Sequence, residues 1–139
     1  MTGESSETRD DMREQISATE VTELIDVYCA AWSDPDPARR VALLRQVWGE
    51  GATYTDPTVH AATADELLVH IDKVLARRPG ARVVRTSAID MHHGIARFGW
   101  HVMQADGTTL PDGLDIAEFS PDGTQIRRIV GFFGPLRAI

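Results

Sequence analysis

Apolar positions along the chain change their period once, near Gly80. From Ala18 onward, Val21, Leu24, Ile25, Tyr28 and Trp32 recur at spacings of three and four, one stripe of an amphipathic helix. Ser33-Asp34-Pro35-Asp36-Pro37 stops that helix and starts another, with Asp36 as N-cap and Pro37 at the first helical position, where a missing N–H costs nothing. Val41, Leu44, Val47 and Trp48 mark the inward side of this second helix. Gly49-Glu50-Gly51 interrupts the chain, and Ala52-Thr53-Tyr54-Thr55-Asp56 reads as a short strand that stops at Pro57, which has no N–H for a ladder. Thr63-Ala64-Asp65-Glu66 is a capping box opening a third helix, whose stripe Leu67, Ile71, Val74 and Leu75 runs to Arg78-Pro79-Gly80.

Past Gly80 the period shortens to two. Strands are expected over Ala81–His92, Ile95–Ala105, Thr108–Phe119 and Gln125–Phe133. The turn signals between them are His93-Gly94, Asp106-Gly107 and Pro121-Asp122-Gly123. Helices first and an antiparallel meander second define an α+β domain over 18–139, with three N-terminal helices packed on one face of the sheet. Residues 1–17 are polar with almost no apolar spacing and read as a flexible N-terminal tail.

A two-residue turn at Asp106-Gly107 pairs Phe98 with Asp115 and Trp100 with Gly113. Partners share a face, and the alternation Phe98, Trp100, Val102 marks that face as the inner one. Asp115 then faces inward beside Gly113, Ala117 and Phe119, where a carboxyl group needs a reason. Small residues among large aromatics also imply a hollow over the sheet rather than a filled core.

Composition narrows the function without naming it. With 139 residues, 42% hydrophobic and 25% charged, the chain has ordinary globular values and no apolar run long enough for a membrane helix. A net charge of −7, with the basic pairs Arg39-Arg40, Arg77-Arg78 and Arg127-Arg128 scattered, argues against nucleic acid as a partner. The N-terminal stretch lacks a secretory pattern and Cys29 has no intrachain partner, so a reducing cytoplasm is the expected location. His92 and His93 are adjacent, His101 alternates away from Trp100, and His60 and His70 stand alone; neither a metal nor a cofactor is expected.

The order of elements, with Tyr54-Thr55-Asp56-Pro57, Gly113-Leu114-Asp115 and the closing Ile129-Val130-Gly131-Phe132-Phe133-Gly134-Pro135, resembles the NTF2-like superfamily and its SnoaL-like branch over nearly all of the chain after Ala18. The resemblance implies a strongly curved, mostly antiparallel sheet forming a cone with an internal pocket, commonly a homodimer through the sheet. Ketosteroid isomerases of that superfamily carry a tyrosine on the first helix, an Asp at the end of the first strand and a protonated Asp on a later strand. Tyr28, Asp56 and Asp115 match those places. Trp48 stands where those isomerases have a second tyrosine, and the third helix offers Ile71 rather than a further one.

By that resemblance Asp56 is a general base beside a substrate carbonyl, while Tyr28 and a protonated Asp115 bind the enolate oxygen, as in the isomerase used as a standard example of a neutral carboxylic acid donor. Around a small hydrophobic ligand, the expected wall is Trp32, Tyr54, Phe98, Trp100, Phe119 and Phe133, with His60 at the mouth. Structural roles stand beside each assignment: Asp56 before Pro57 suits a turn former, Tyr28 a core residue, and His60 a solvated loop. Two function classes remain open: a cofactor-independent isomerase or cyclase acting on a polycyclic or polyketide-like ketone, and a noncatalytic small-molecule binding domain. An epoxide hydrolase would need Arg and Asp close together on one strand, and Arg97-Phe98-Gly99-Trp100 does not supply that.

Overall fold

The computed structural model describes residues 18–139, so the expected tail over 1–17 lies outside the described residues. Helix α1 (18–31) runs into the Ser33–Pro37 stop. In α2 (Pro37–Val47) the Asp36 side chain caps the Ala38 N–H and Pro37 occupies the first turn, as the sequence requires. In α3 (Ala64–Arg77) Thr63 Oγ1 accepts from the Glu66 N–H at 3.1 Å. Glu66 answers by accepting from the Ala62 N–H at 2.7 Å, one residue earlier than a standard capping box would place it.

The strands are β1 (Trp48–Asp56), β2 (Val59–Ala61), β3 (Arg82–Arg85), β4 (Asp90–His92), β5 (Ile95–Met103), β6 (Gly113–Phe119) and β7 (Ile126–Phe133). They form one sheet in the order β2-β1-β7-β6-β5-β3, with β4 also pairing β5. The β1–β7 pair is parallel and every other pair is antiparallel, so the sheet is mixed and unclosed rather than a pure meander. Ile25, Leu44, Leu67 and Ile71 from the helices share one core with Ala117 and Ile129 of the sheet.

Several expected boundaries move. Trp48 does not extend α2; it is the first residue of β1, its ring stacked on Tyr28 at 5.9 Å. Gly49-Glu50-Gly51 stays within that strand as an irregularity, Gly51 taking φ +75° while the pairing with β7 shifts register. The long strand expected over Ala81–His92 is broken into β3 and β4, and the one expected from Thr108 begins at Gly113.

The hairpin turns exchange types. His93 (φ 49°) and Gly94 (φ 75°) make the two-residue turn, joining the paired His92 and Ile95. At Asp106-Gly107 the loop has three residues instead: the Gln104 N–H donates to Thr108 O, and Gly107 sits at φ 85°. The Phe98–Asp115 and Trp100–Gly113 pairs nevertheless form as expected. Near the tip Val102 O accepts from Leu110, an offset of one residue that Pro111-Asp112 reverses before β6 begins.

The ends and the buried stripe of α3 contribute separably to stability. Thr63→Ala is expected to lower the unfolding free energy by about 1 kcal/mol. Leu67, fully buried, should cost about 2–5 kcal/mol when cut to Ala. Urea denaturation of the two variants checks the order, and a Leu67→Ala cost no larger than that of the cap would contradict this packing.

Candidate functional site

Strand β1 ends at Asp56 because Pro57 cannot continue the ladder, and the carboxyl group turns back over the chain that follows. Its Oδ1 accepts from the Thr58 N–H at 2.7 Å, the Thr58 hydroxyl at 2.7 Å and the Val59 N–H at 3.1 Å, a turn that launches β2. Its Oδ2 accepts from the Tyr54 hydroxyl at 2.6 Å, and His70 Nε2 of α3 stands 3.8 Å away. The group is 9% exposed and accepts from four donors. The turn-forming role of Asp56 is therefore realised on one oxygen, and the other faces the interior.

Asp115 lies mid-strand in β6 between Phe98 of β5 and Gly131 of β7, and is 5% exposed. Trp100 Nε1 donates to its Oδ1 at 2.8 Å. Burial pushes this carboxyl up to about 7; the Trp100 hydrogen bond opposes the shift and the nearby Asp56 adds to it. Two glycines make the arrangement possible. A Cβ on Gly113 would run into the Trp100 ring, which lies over that residue on its way to Asp115. A Cβ on Gly131 would stand 2.9 Å from Asp115 Oδ1, 3.5 Å from Asp56 Cβ and 3.8 Å from the Tyr54 hydroxyl. Asp56, Asp115 and Tyr54 thus meet over one glycine. The space left by each missing Cβ is filled by a functional side chain, and the hollow lies above them.

The upper wall is aromatic. Tyr28 is 2% exposed, and burial holds its phenol well above the ordinary value, with Tyr54 and Asp115 adding to the shift. Trp32 lies near enough to Tyr28 to offset part of that effect, yet its own buried Nε1 makes no hydrogen bond. The Trp32 ring meets His70 edge-on at 5.7 Å and Tyr54 at 5.5 Å. Burial lowers the His70 pKa more than Asp56 raises it, so the imidazole is neutral near pH 7. Tyr54 is likewise raised, by burial first and then by its bond to Asp56, and keeps its proton.

These groups border a cavity of about 310 Å³ between the sheet and α1 and α3. Of the residues singled out in the sequence, Tyr28, Trp32, Tyr54, Asp56, Trp100, Asp115 and Phe133 line it. Three others do not. Phe98 is 1% exposed and belongs to the solid core beneath. Phe119 borders a separate depression with Val21 and Met91, because it sits at the far end of β6. His60 is exposed on β2 and tied to Thr55 Oγ1 at 2.6 Å, outside the lining. The cavity also takes in residues that sequence reasoning missed, among them Thr58, His70, Arg77, Arg78 and Arg82. His70 was detectable: it precedes Ile71 and lies three residues after Leu67 and four before Val74, on the edge of the buried stripe of α3. Cys29 is buried and its thiol pushed up to about 12, an unreactive group.

No family model matches the sequence, and no curated protein matches it significantly. Solved structures do. A candidate isomerase of the SnoaL-like family from Agrobacterium tumefaciens superposes with a TM-score of 0.77 at 29% identity, covering 84% of this chain and 99% of that one. An NTF2-like superfamily protein from Salmonella enterica serovar Typhimurium gives 0.68 at 16% identity over 91% of this chain and 96% of its own. A cystatin-like-fold protein of unknown function from Methylobium petroleophilum gives 0.67 at 17% identity, over 86% and 79%. The fold is the NTF2-like α+β cone, and its structural neighbours include this SnoaL-like member.

The buried Asp115 leaves a signature in stability. Its pKa is raised from 3.8 to about 7 on folding, so between those values the folded state binds more protons and stability falls as pH rises. At the plateau above pH 7 the cost is on the order of 4 kcal/mol. Chemical denaturation of the wild type and Asp115→Asn across pH 4 to 8 should show the wild type losing ground to the variant until about pH 7 and then running parallel. A constant difference across that range would contradict the burial.

Proposed function

We propose that this chain is a cofactor-independent acid–base enzyme of isomerase or cyclase type, enolising a hydrophobic, polycyclic or polyketide-like ketone in the cavity under α1 and α3. The supporting observation is the division of labour between two carboxyl groups beside one glycine: Asp56 accepts from four donors, while Asp115 accepts from one and is pushed by burial toward its neutral form. Such a pair separates base from acid within one site.

In this mechanism Asp56 Oδ2 takes the proton next to the substrate carbonyl, and electrons move onto the carbonyl oxygen. The Asp115 carboxyl, accepting from Trp100 through Oδ1, donates from its other oxygen to that developing charge, and the Tyr28 hydroxyl donates beside it. Tyr54 fixes Asp56 and keeps its own proton. The aromatic wall excludes water, which strengthens both donors. The proton on Asp56 then returns to another carbon of the substrate, or the enolate carbon attacks a second carbonyl in a ring closure and the alkoxide so formed takes the proton back from Asp56. A homodimer through the outer sheet face belongs to the same proposal; Ile95, Ile116 and Phe132 stand partly exposed there on neighbouring strands.

The noncatalytic alternative has one observation of its own: every oxygen of Asp56 already has a donor in the absence of ligand. Exchange of deuterium from β-tetralone labelled next to its carbonyl separates the two, followed by NMR. The wild type should accelerate the exchange, and Asp56→Asn should lose at least about a hundredfold, the usual contribution of a positioned base. Above pH 7 the wild-type rate should fall as Asp115 ionises, and that fall should be absent in Asp115→Asn, whose amide donates at every pH. Exchange no faster than in buffer, or an undiminished rate in Asp56→Asn, would leave the binding-domain reading.

A further inference from the structure

The mouth of the cavity differs in charge from its depth. Among the lining residues Arg77, Arg78 and Arg82 are exposed, as are Thr58 and Phe133, so every exposed charge on the cavity is cationic. Arg77 and Arg78 end α3, and Arg82 opens β3 on the other side of the Pro79-Gly80 turn. The two lining carboxyl groups, Asp56 and Asp115, are both buried.

Among the described residues no carboxylate pairs with this cluster. Among the described residues Arg39, Arg40, Arg85, Arg97 and Arg128 each reach a carboxylate; the three rim arginines do not, and neither do Arg45, Arg127 and Arg137. Arg78 donates to the neutral Gln104 Oε1 at 2.8 Å, and Arg82 Nη2 lies 3.2 Å from Met103 Sδ. Complementing the negative end of α3 accounts for Arg77 and Arg78 but not for Arg82, which lies on a strand. The field also extends inward, since the Arg77 charge opposes protonation of His70 in the cavity wall.

We infer that the ligand is an amphipathic carboxylate, whose anionic end is held by Arg77, Arg78 and Arg82 at the mouth while its apolar body and neutral carbonyl reach toward Asp56 and Asp115. This rests on the enolisation reading and narrows its substrate class. Apolar Val74, Leu75, Val83 and Val102 line the cavity between those ends and suit the body of such a molecule. The polarity fixes the direction of entry. A carboxylate driven inward would meet two carboxyl groups, and a carbonyl left at the mouth would meet no base. Arginine is suited to the rim because its planar fork pairs with a carboxylate through two parallel hydrogen bonds.

The test uses a matched pair of fluorescent probes: a hydroxynaphthoate with its two substituents at opposite ends of the ring system, and the methyl ester of the same molecule. The hydroxyl imitates an enol for the deep site, and the ester differs only in lacking the charge. The wild type should bind the acid about tenfold more tightly than the ester, as expected for a few exposed ion pairs acting together. That preference should shrink as salt is raised from about 0.01 M to about 1 M, where screening shortens from roughly 30 Å to 3 Å. The triple variant Arg77→Gln, Arg78→Gln, Arg82→Gln should lose the preference while still binding the ester, and its circular dichroism should match that of the wild type. Equal affinities on the wild type, or a preference that survives in the triple variant, would overturn the anionic rim and leave the cavity reading standing. Binding of neither probe would overturn both.

Discussion

A carboxyl group on the inner face of a central strand constrains everything around it. Asp115 can be buried there only because water is replaced by one hydrogen bond from Trp100 and because the group gives up its charge near neutral pH. Space must also be cleared. Gly131 is bare where a methyl group would press on Asp115, and Gly113 is bare where one would displace the Trp100 ring. Each glycine sits on a strand neighbouring the group it accommodates, so the register of β5, β6 and β7 is itself part of the site.

Asp56 solves the opposite problem. It is nearly as buried, but it lies at a strand end where the chain must turn, and the freed amides of Thr58 and Val59 supply donors that a mid-strand residue cannot reach. Two acids of the same type are thereby given different environments by position alone, one at the end of a ladder and one inside it. Closure by α1 and α3 completes the difference. Tyr28, Trp32 and His70 bring apolar ring surface over both groups without adding a second anion.

Much of this was legible from the residues. The helix starts at Asp36 and Thr63 follow from capping chemistry, which is local and therefore readable. The pairing of Asp115 with Phe98 is expected from a two-residue turn at Asp106-Gly107; the loop has three residues instead, and the pairs form as expected only because the offset at Pro111-Asp112 restores the register. What was not legible depends on distant contacts. Trp48 fits a helical stripe by spacing, but pairing with Ile126 draws it into β1. Phe98 and Trp100 share one face by alternation, yet only the helices decide that the first is core and the second is cavity wall. In the sequence Arg77-Arg78 is only one of three scattered basic pairs and nothing singles out Arg82, because that all three line one cavity depends on the fold.

The central claim is that burial lifts the Asp115 carboxyl far above the usual carboxylate range, while Asp56, over the same glycine, is held by four donors. Carbon-13 NMR of the side-chain carboxyl groups in aspartate-labelled protein measures this directly, with Asp115→Asn and Asp56→Asn assigning the two signals. The account requires the Asp115 resonance to titrate with a midpoint near 7. An Asp115 signal already that of a carboxylate at pH 5 would contradict it.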